Sequence, residues 1–179
     1  MSEYIHPYDL SEGDEQHRLH VGRYKWAAEM LKGLVVANAA CSTNYGSPLL
    51  AKPGRLVIGF DRNQTALGRA RKEGRDLVID KDIQCETFEG FSSVVSLETI
   101  EHLPDPKAFV SGWSKTVREC VISVPIIPTK HFNEWHLHDF TKEEARALLT
   151  NNGWKIEAEA YQDESGLAQP TYILLYATR

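Results

Sequence analysis

The amino-acid sequence predicts an α/β protein: a doubly wound, mostly parallel seven-stranded sheet with an antiparallel C-terminal edge, built as one domain over residues 1–179. Three observations predict it. Short continuous apolar runs recur at 34–37, 56–60, 77–79, 94–97 and 120–124, as strands buried on both faces of a parallel sheet require. Turns and helical patterns alternate with them, which brings successive strands together as parallel neighbours with helices on both faces. The last two apolar stretches, 154–161 and 171–177, are joined by a polar loop over 162–169, which suits an antiparallel pair.

Residues 1–13 are polar and unpatterned, and flexibility is expected there. Between Asp14 and Lys32 the apolar positions Tyr24, Ala27, Ala28 and Leu31 fall at i, i+3, i+4 and i+7, one face of a helix that Gly33 stops. The first strand, 34–37, runs into the turn-forming stretch from Cys41 to Ser47 and a helix through Leu49 and Leu50. The second, 56–60, ends at Asp61, and Asn63 caps a helix carrying Ala66, Leu67 and Ala70 that ends near Gly74. The third, 77–79, ends at Asp80 and Asp82, and 94–97 is the fourth. Asp105 before Pro106 is an N-cap with proline at the first helical position, opening a helix with Phe109, Val110, Trp113 and Val117 inward. Pro125 cuts off the fifth strand, and Pro128 keeps the chain irregular through His138. Thr141 with Glu144 is a capping box for a helix that ends before Asn152 and Gly153.

Twenty Lys and Arg against 25 Asp and Glu leave a formal charge of −5. No overall positive field therefore draws the molecule to nucleic acid or anionic lipid. No run approaches the ~20 apolar residues of a membrane span, and the N-terminus carries acids where a signal peptide needs a basic and then an apolar region. Cys41, Cys85 and Cys120 are widely spaced with no C-x-x-C pair, so neither a disulfide framework nor a cysteine zinc site is indicated. A reducing, cytoplasmic setting is expected.

In doubly wound sheets ligands bind beyond the carboxyl ends of the strands, so the loops there are where function is expected. Five stretches stand at such ends: Val36 to Ser47 (V-A-N-A-A-C-S-T-N-Y-G-S), Gly59-Phe60-Asp61, Lys81-Asp82-Ile83, Ser96 to Pro106 (S-L-E-T-I-E-H-L-P-D-P) and Glu134 to Thr141 (E-W-H-L-H-D-F-T). Taken in that order, over roughly 18–177, the chain resembles the class I S-adenosylmethionine-dependent methyltransferases. The resemblance implies a Rossmann-like methyltransferase fold, S-adenosylmethionine as cofactor, and contacts to it from Ala40, Cys41, Ser42, Tyr45, Gly46, Asp61, Arg62, Asp82, Ile83, Leu97 and Glu98. Asp61 lies 19 positions after Ser42, close to the ~20-residue offset at which a carboxylate after the second strand meets ribose hydroxyls. Asp82 is placed to accept from an adenine amino group, with Ile83 beneath the ring.

This sequence departs from the family pattern at three positions. Asn38 stands where an acid is usual, and Ser42 and Asn44 stand where glycines are usual. Asparagine tolerates the left-handed region, so Asn44 keeps the turn. Ser42 narrows the room for a ligand, and loss of the acid at Asn38 is expected to weaken the grip on the cofactor's ammonium group. A dinucleotide, whose pyrophosphate must touch this loop, would suffer more than a sulfonium amino acid. A non-catalytic relative that binds S-adenosylmethionine or S-adenosylhomocysteine is the alternative these departures raise.

Glu98, Glu101 and His102 are spaced i, i+3, i+4, so a helical turn after the fourth strand puts them on one face beside the transferable methyl. Methyl transfer from a sulfonium is an in-line displacement with a good leaving group, and its rate comes mainly from positioning. A hydroxyl nucleophile also needs its proton removed, which assigns His102, His136 and Glu101 as the catalytic candidates. The same E-x-x-E-H with a later His is similar to the metal sites of the ubiquinone-pathway O-methyltransferases and the small-RNA 2′-O-methyltransferases. That makes Glu98, Glu101, His102 and His136 candidate ligands of a divalent metal; metal-free acid–base roles, or hydrogen-bonded structural roles near the cofactor, stand beside this.

Other positions read as structural. His131 and His138 are expected to be solvated loop residues, Cys41 a small buried hydrophobe, and Trp26, Trp113 and Trp154 core residues, while Trp135 is a candidate for the acceptor pocket. Arg23 and Tyr24 either cover the cofactor or are a surface arginine beside a core tyrosine. The expected activity is methylation, O-methylation first, of a small-molecule or glycan-like acceptor, with a metal-dependent 2′-O-methyltransferase as a further alternative. The sheet and its helices use nearly the whole chain, so the acceptor must be held by the N-terminal helix, the 125–138 loop or a second subunit of a homodimer.

Overall fold

A computed structural model describes residues 14–113, 116–163 and 170–179. The N-terminal stretch expected to be flexible and most of the polar 162–169 connection lie outside the described residues. Five α-helices, α1 (Glu15–Met30), α2 (Ser47–Leu50), α3 (Gln64–Lys72), α4 (Pro106–Trp113) and α5 (Lys142–Thr150), are described, with seven strands: β1 (Val35–Ala39), β2 (Leu56–Asp61), β3 (Val78–Asp80), β4 (Ser93–Leu97), β5 (Glu119–Pro125), β6 (Lys155–Gln162) and β7 (Tyr172–Thr178). The strands form one sheet in the order β3-β2-β1-β4-β5-β7-β6. All neighbours are parallel except β7, which runs antiparallel to β5 from Glu119 opposite Thr178 to Pro125 opposite Tyr172, and antiparallel to β6 on its other side.

The reversed strand thus sits one place in from the edge, and composition accounts for that choice. β7 is a nearly continuous apolar run buried along its centre, whereas β6 alternates, with Lys155, Glu157, Glu159 and Tyr161 exposed or nearly so. A charged strand tolerates the edge and discourages further pairing; an apolar one belongs between neighbours.

Successive residues of the central strands face opposite sides, and both sides are buried. Ala37, Ala39, Val94, Cys120 and Ile122 belong to the core under α4 and α5, which Trp113, Leu149 and Trp154 complete. Val36, Val95 and Val121 face the second core, where α1 lays Tyr24, Ala27 and Ala28, and Leu31 just after it, against Leu50 and Tyr176. The local signals hold: Asn63 accepts from the Thr65 and Ala66 amides at 3.0 Å each, Asp105 Oδ1 accepts from Ala108 at 2.8 Å, and Thr141 and Glu144 form both arms of a capping box.

Alternation lapses once. Between β3 and β4 there is only a single 3-10 turn, Ile83–Cys85, because Ile83, Phe88 and Phe91 do not recur at helical spacing. Instead Phe88 and Phe91 pack edge-on against Phe60, at 5.1 and 5.4 Å between ring centroids. Gly33 does more than stop α1. A Cβ there would lie 2.1 Å from Ser93 Oγ and 2.9 Å from Glu119 Oε1, so only glycine lets this turn approach the starts of β4 and β5 and the buried Glu119 carboxylate. That carboxylate accepts from the Lys32 and Gly33 amides, Ser93 Oγ and Tyr176 OH at 2.5–3.2 Å, tying the amino-terminal end of the sheet together.

Candidate active site

The carboxyl ends of β1 to β5 open into a cleft of about 830 Å³. Its first wall is the turn after β1, where Ala40, Ser42 and Asn44 all adopt left-handed backbone (φ 56°, 52° and 55°). Each costs about 1–2 kcal/mol for a residue with a Cβ, so the surroundings must hold the turn. Cys41 N–H donates to Phe60 O (2.9 Å), Ser42 N–H to Asp61 Oδ2 (2.7 Å) and Asn44 N–H to Cys41 O (2.8 Å). Beneath them runs a buried chain: Tyr24 OH donates to Asn38 Oδ1 (3.3 Å), Asn38 Nδ2 to Ser47 Oγ (3.2 Å), and Ser47 Oγ to Asn44 Oδ1. The two asparagines that break the family pattern are therefore joined through one serine, and Asn38 does not line the cleft.

Ala40, Ser42 and Tyr45 line the cleft, whereas Cys41 and Gly46, grouped with them in the sequence, do not. The Cys41 thiol is buried and donates toward Ser42 O. Gly46 makes room for another residue, since a Cβ there would lie 2.1 Å from the Tyr24 ring. Tyr24 is a core residue that also meets Tyr45 edge-on at 5.4 Å.

Asp61, only 5% exposed, lines the cleft at the end of β2 with its oxygens accepting from Ser42 and Asn63 amides at 2.7 and 2.8 Å. Burial raises its pKa and those amides oppose the rise. Asp82 caps the 3-10 turn, accepting from Gln84 N–H at 3.0 Å, and pairs with the exposed Arg62 at 3.3 Å; the Gln84 amide holds its pKa down. Ile83, Leu97 and Glu98 complete this half of the cleft.

Glu98 corrects one expectation. It too is left-handed (φ 50°), and the 3-10 turn that follows starts only at Ile100 and ends at His102. Glu98 is thereby thrown off the face shared by Glu101 and His102, and Ser123 Oγ donates to its Oε1 at 2.6 Å. Its ion-pair partner is Arg23, 3.8 Å away. Arg23 is no surface residue: it is 1% exposed, its guanidinium lies 4.0 Å over the Tyr172 ring, and its three nitrogens have no hydrogen-bond acceptor among the described residues. It faces the cleft from α1 with His20 and Gln16, one and two turns earlier. His20 Nδ1 meets Tyr45 OH at 3.0 Å, and burial together with Arg23 lowers its pKa to about 3. Sequence reasoning gave His20, Thr129 and Tyr172 no role in the cleft. The polar stripe Gln16, His20, Arg23 at i, i+4, i+7, beside the apolar face, was the available signal.

The remaining candidates converge. Glu101, His102 and His136 offer ligand atoms all within 4.8 Å of one another. The Glu101 carboxylate is fully buried and neither oxygen has a hydrogen-bond partner among the described residues. Burial, then the charge of Glu98, raises its pKa strongly. His102 Nε2 lies 4.0 Å from Glu101 Oε1, and the two imidazoles meet edge-on at 4.6 Å. His102 Nδ1 is 3.0 Å from Trp135 O; a carbonyl only accepts, so Nδ1 carries the proton of the neutral ring and Nε2 its lone pair. His136 Nδ1 is 2.6 Å from Thr129 Oγ1, and burial with His102 alongside lowers its pKa to about 4.

The loop that supplies His136 is pinned throughout. Asp139 Oδ1 accepts from the Thr129 and Lys130 amides (2.7 and 3.1 Å), and Glu101 O accepts from those of Leu137 and His138 (2.8 and 3.1 Å). His138, expected to be solvated, is a strut: its Nε2 donates to Leu103 O at 2.9 Å.

A doubly wound sheet with one reversed strand beside its edge, and a cleft whose first turn meets a carboxylate at the end of the second strand, define the class I methyltransferase fold. Residues 37–120 match the family model for a methyltransferase domain, and the chain is similar to S-adenosylmethionine-dependent methyltransferases in sequence and in fold. It is 26% identical over 160 residues to a Mycolicibacterium smegmatis protein described as a "probable S-adenosylmethionine-dependent methyltransferase", covering 83% of this chain and 62% of that one. It is 24% identical over 111 residues to a ubiquinone biosynthesis O-methyltransferase of Coxiella burnetii, covering 57% and 47%. The chain thus spans less than two thirds of either curated relative. Magnesium protoporphyrin IX methyltransferase of Synechocystis, solved with bound SAH, superposes with a TM-score of 0.71 at 20% identity over 91% of this chain and 83% of its own. No helix among the described residues is long and apolar enough to cross a membrane.

Proposed function

We propose that this protein transfers the methyl group of S-adenosylmethionine to a hydroxyl of a small molecule. The observation that carries this reading is one continuous cleft with the nearly buried Asp61 at one end and the Glu101, His102, His136 cluster at the other. The cofactor supplies an activated methyl group with a thioether as its leaving group. The residues fit it: Asp61 for the ribose hydroxyls, Asp82 and Ile83 for adenine, the Ala40–Ser42 turn and Leu97 beside them. The buried guanidinium of Arg23, 3.8 Å from Glu98 and with no hydrogen-bond acceptor among the described residues, suits a further carboxylate, which is what an amino-acid moiety would bring.

At the other end, His102 Nε2 presents a lone pair that can take the acceptor hydroxyl's proton, and His136 presses on the same imidazole. The fixed loop holds both rings in place, which is where positional catalysis comes from. A divalent cation also fits, because a buried carboxylate without hydrogen bonds beside two imidazoles calls for positive charge. Glu101, His102 and His136 would hold it, Glu98 would not, and it would polarise the acceptor oxygen.

The test is calorimetric titration with S-adenosylhomocysteine. Micromolar binding by the wild type and a loss of about tenfold or more in Asp61→Ala are expected; absence of binding at millimolar ligand would falsify the reading. A second reading, cofactor binding without transfer, draws on the three left-handed non-glycine residues of the first turn. Tight product binding with no turnover on any hydroxyl compound would favour it.

A further inference from the structure

The outer half of the cleft has a different character from the inner half. The cations that line it are Arg23, Arg62 and Lys81, all at the cofactor end, where Arg62 is paired with Asp82 and Lys81 with Glu86. Its outer wall, from Pro125 to Leu137, presents no Lys or Arg to it. What that wall does present is Phe132, Trp135 and Leu137, 60%, 44% and 45% exposed, with Asn133 and the single carboxylate of Glu134 between them.

Large apolar side chains gathered at one mouth cost free energy in water and mark a contact surface. A slack loop would bury them by collapsing. This one cannot, because the hydrogen bonds of Thr129, His136, His138 and Asp139 fix its backbone from both ends. The peptide that carries the Trp135 indole also orients the His102 imidazole through its carbonyl. The apolar rim and the proton-accepting ring are therefore held at a set separation, which is preorganisation for one ligand touching both.

We propose that Phe132, Trp135 and Leu137 seat the body of an uncharged, largely apolar acceptor whose hydroxyl points inward to His102 and His136. This rests on the methyltransferase reading above. An acceptor carrying phosphate or carboxylate would meet no cation on this wall, and a free sugar would leave the rim in contact with water.

The test uses the full chain saturated with S-adenosylhomocysteine and four probes: 4-methylphenol, 4-pentylphenol, 4-hydroxybenzoate and methyl glucoside, titrated calorimetrically. 4-Pentylphenol is expected to bind about tenfold tighter than each of the others, since four added methylenes half-covered by the rim give about that factor. In Phe132→Ala and Trp135→Ala the advantage should shrink to about threefold or less, with affinity for S-adenosylhomocysteine unchanged as the check on folding. Equal affinity for 4-hydroxybenzoate or methyl glucoside, or an advantage that survives both substitutions, overturns the proposal. So does co-sedimentation of the wild type, but not of the variants, with phosphatidylcholine vesicles, which would make the rim a membrane contact. If S-adenosylhomocysteine itself fails to bind, the underlying reading falls instead, and the two failures are told apart in the first titration.

Discussion

Ser123 Oγ donates to Glu98 Oε1 at 2.6 Å and keeps that carboxylate out of the cluster formed by Glu101, His102 and His136. Two glutamates three residues apart thus have different neighbours. Glu98 sits with Arg23; Glu101 sits with the two imidazoles. Glu98→Gln is expected to weaken S-adenosylhomocysteine binding by about tenfold, the worth of one charged contact, and to leave any bound metal in place. Glu101→Gln should preserve that binding but lower turnover by about a hundredfold. Calorimetry with metal analysis by mass spectrometry separates them, and equal metal loss in both variants would contradict the division.

The first turn stores strain that glycine would relieve. Ala40→Gly and Ser42→Gly should each stabilise the fold by about 1 kcal/mol, seen as a rise of about 2–4 °C in Tm. The Ser42 hydroxyl is buried without a hydrogen-bond partner among the described residues, so its removal forfeits none of their hydrogen bonds. Asn44→Gly should do the opposite, by about 1–3 kcal/mol, because the Ser47 hydroxyl loses its acceptor. Thermal melts of the three variants check this; a uniform response at all three positions would not be compatible with it.

Glu119 anchors the other end of the sheet. Glu119→Ala strands the Lys32 and Gly33 amides and the Ser93 and Tyr176 hydroxyls together, and should cost about 3–5 kcal/mol. Ser93→Ala and Tyr176→Phe remove one donor each and should cost about 1 kcal/mol. Urea denaturation measures all three, and a Glu119→Ala loss no larger than the single-donor losses would show that the carboxylate is not the hub.

His20 predicts a pH dependence of stability. Burial, with Arg23 facing it, puts its folded pKa near 3 against 6.5 for the free side chain, so the unfolded chain takes up the proton first. The stabilisation from neutral His20 is full above pH 6.5 and is lost as pH falls from there toward about 3, at about 1.4 kcal/mol per pH unit for one proton. Carboxylates such as Asp82 and Asp139, whose pKa values are lowered, add the same sign at more acid pH. Denaturant midpoints at pH 7, 6 and 5, for wild type and His20→Gln, isolate the histidine: its slope should be absent in the variant.

Much of this molecule is written locally. The spacing of Tyr24, Ala27, Ala28 and Leu31, the caps at Asn63, Asp105 and Thr141, and the apolar runs of the strands each depend on residues within a turn or two, where period and capping geometry decide the outcome. They were enough to predict the seven strands, the doubly wound arrangement and the loops that line the cleft, from Asp61 to His136. What only the tertiary structure decided are the contacts between distant segments. Ser123 draws away Glu98, 25 residues earlier; Leu103 makes a strut of His138, 35 residues later; Tyr172 covers Arg23; and β7 slips between β5 and β6. Each is a choice among partners that the backbone pattern leaves open, settled by which buried charge or donor finds an acceptor when the sheet closes.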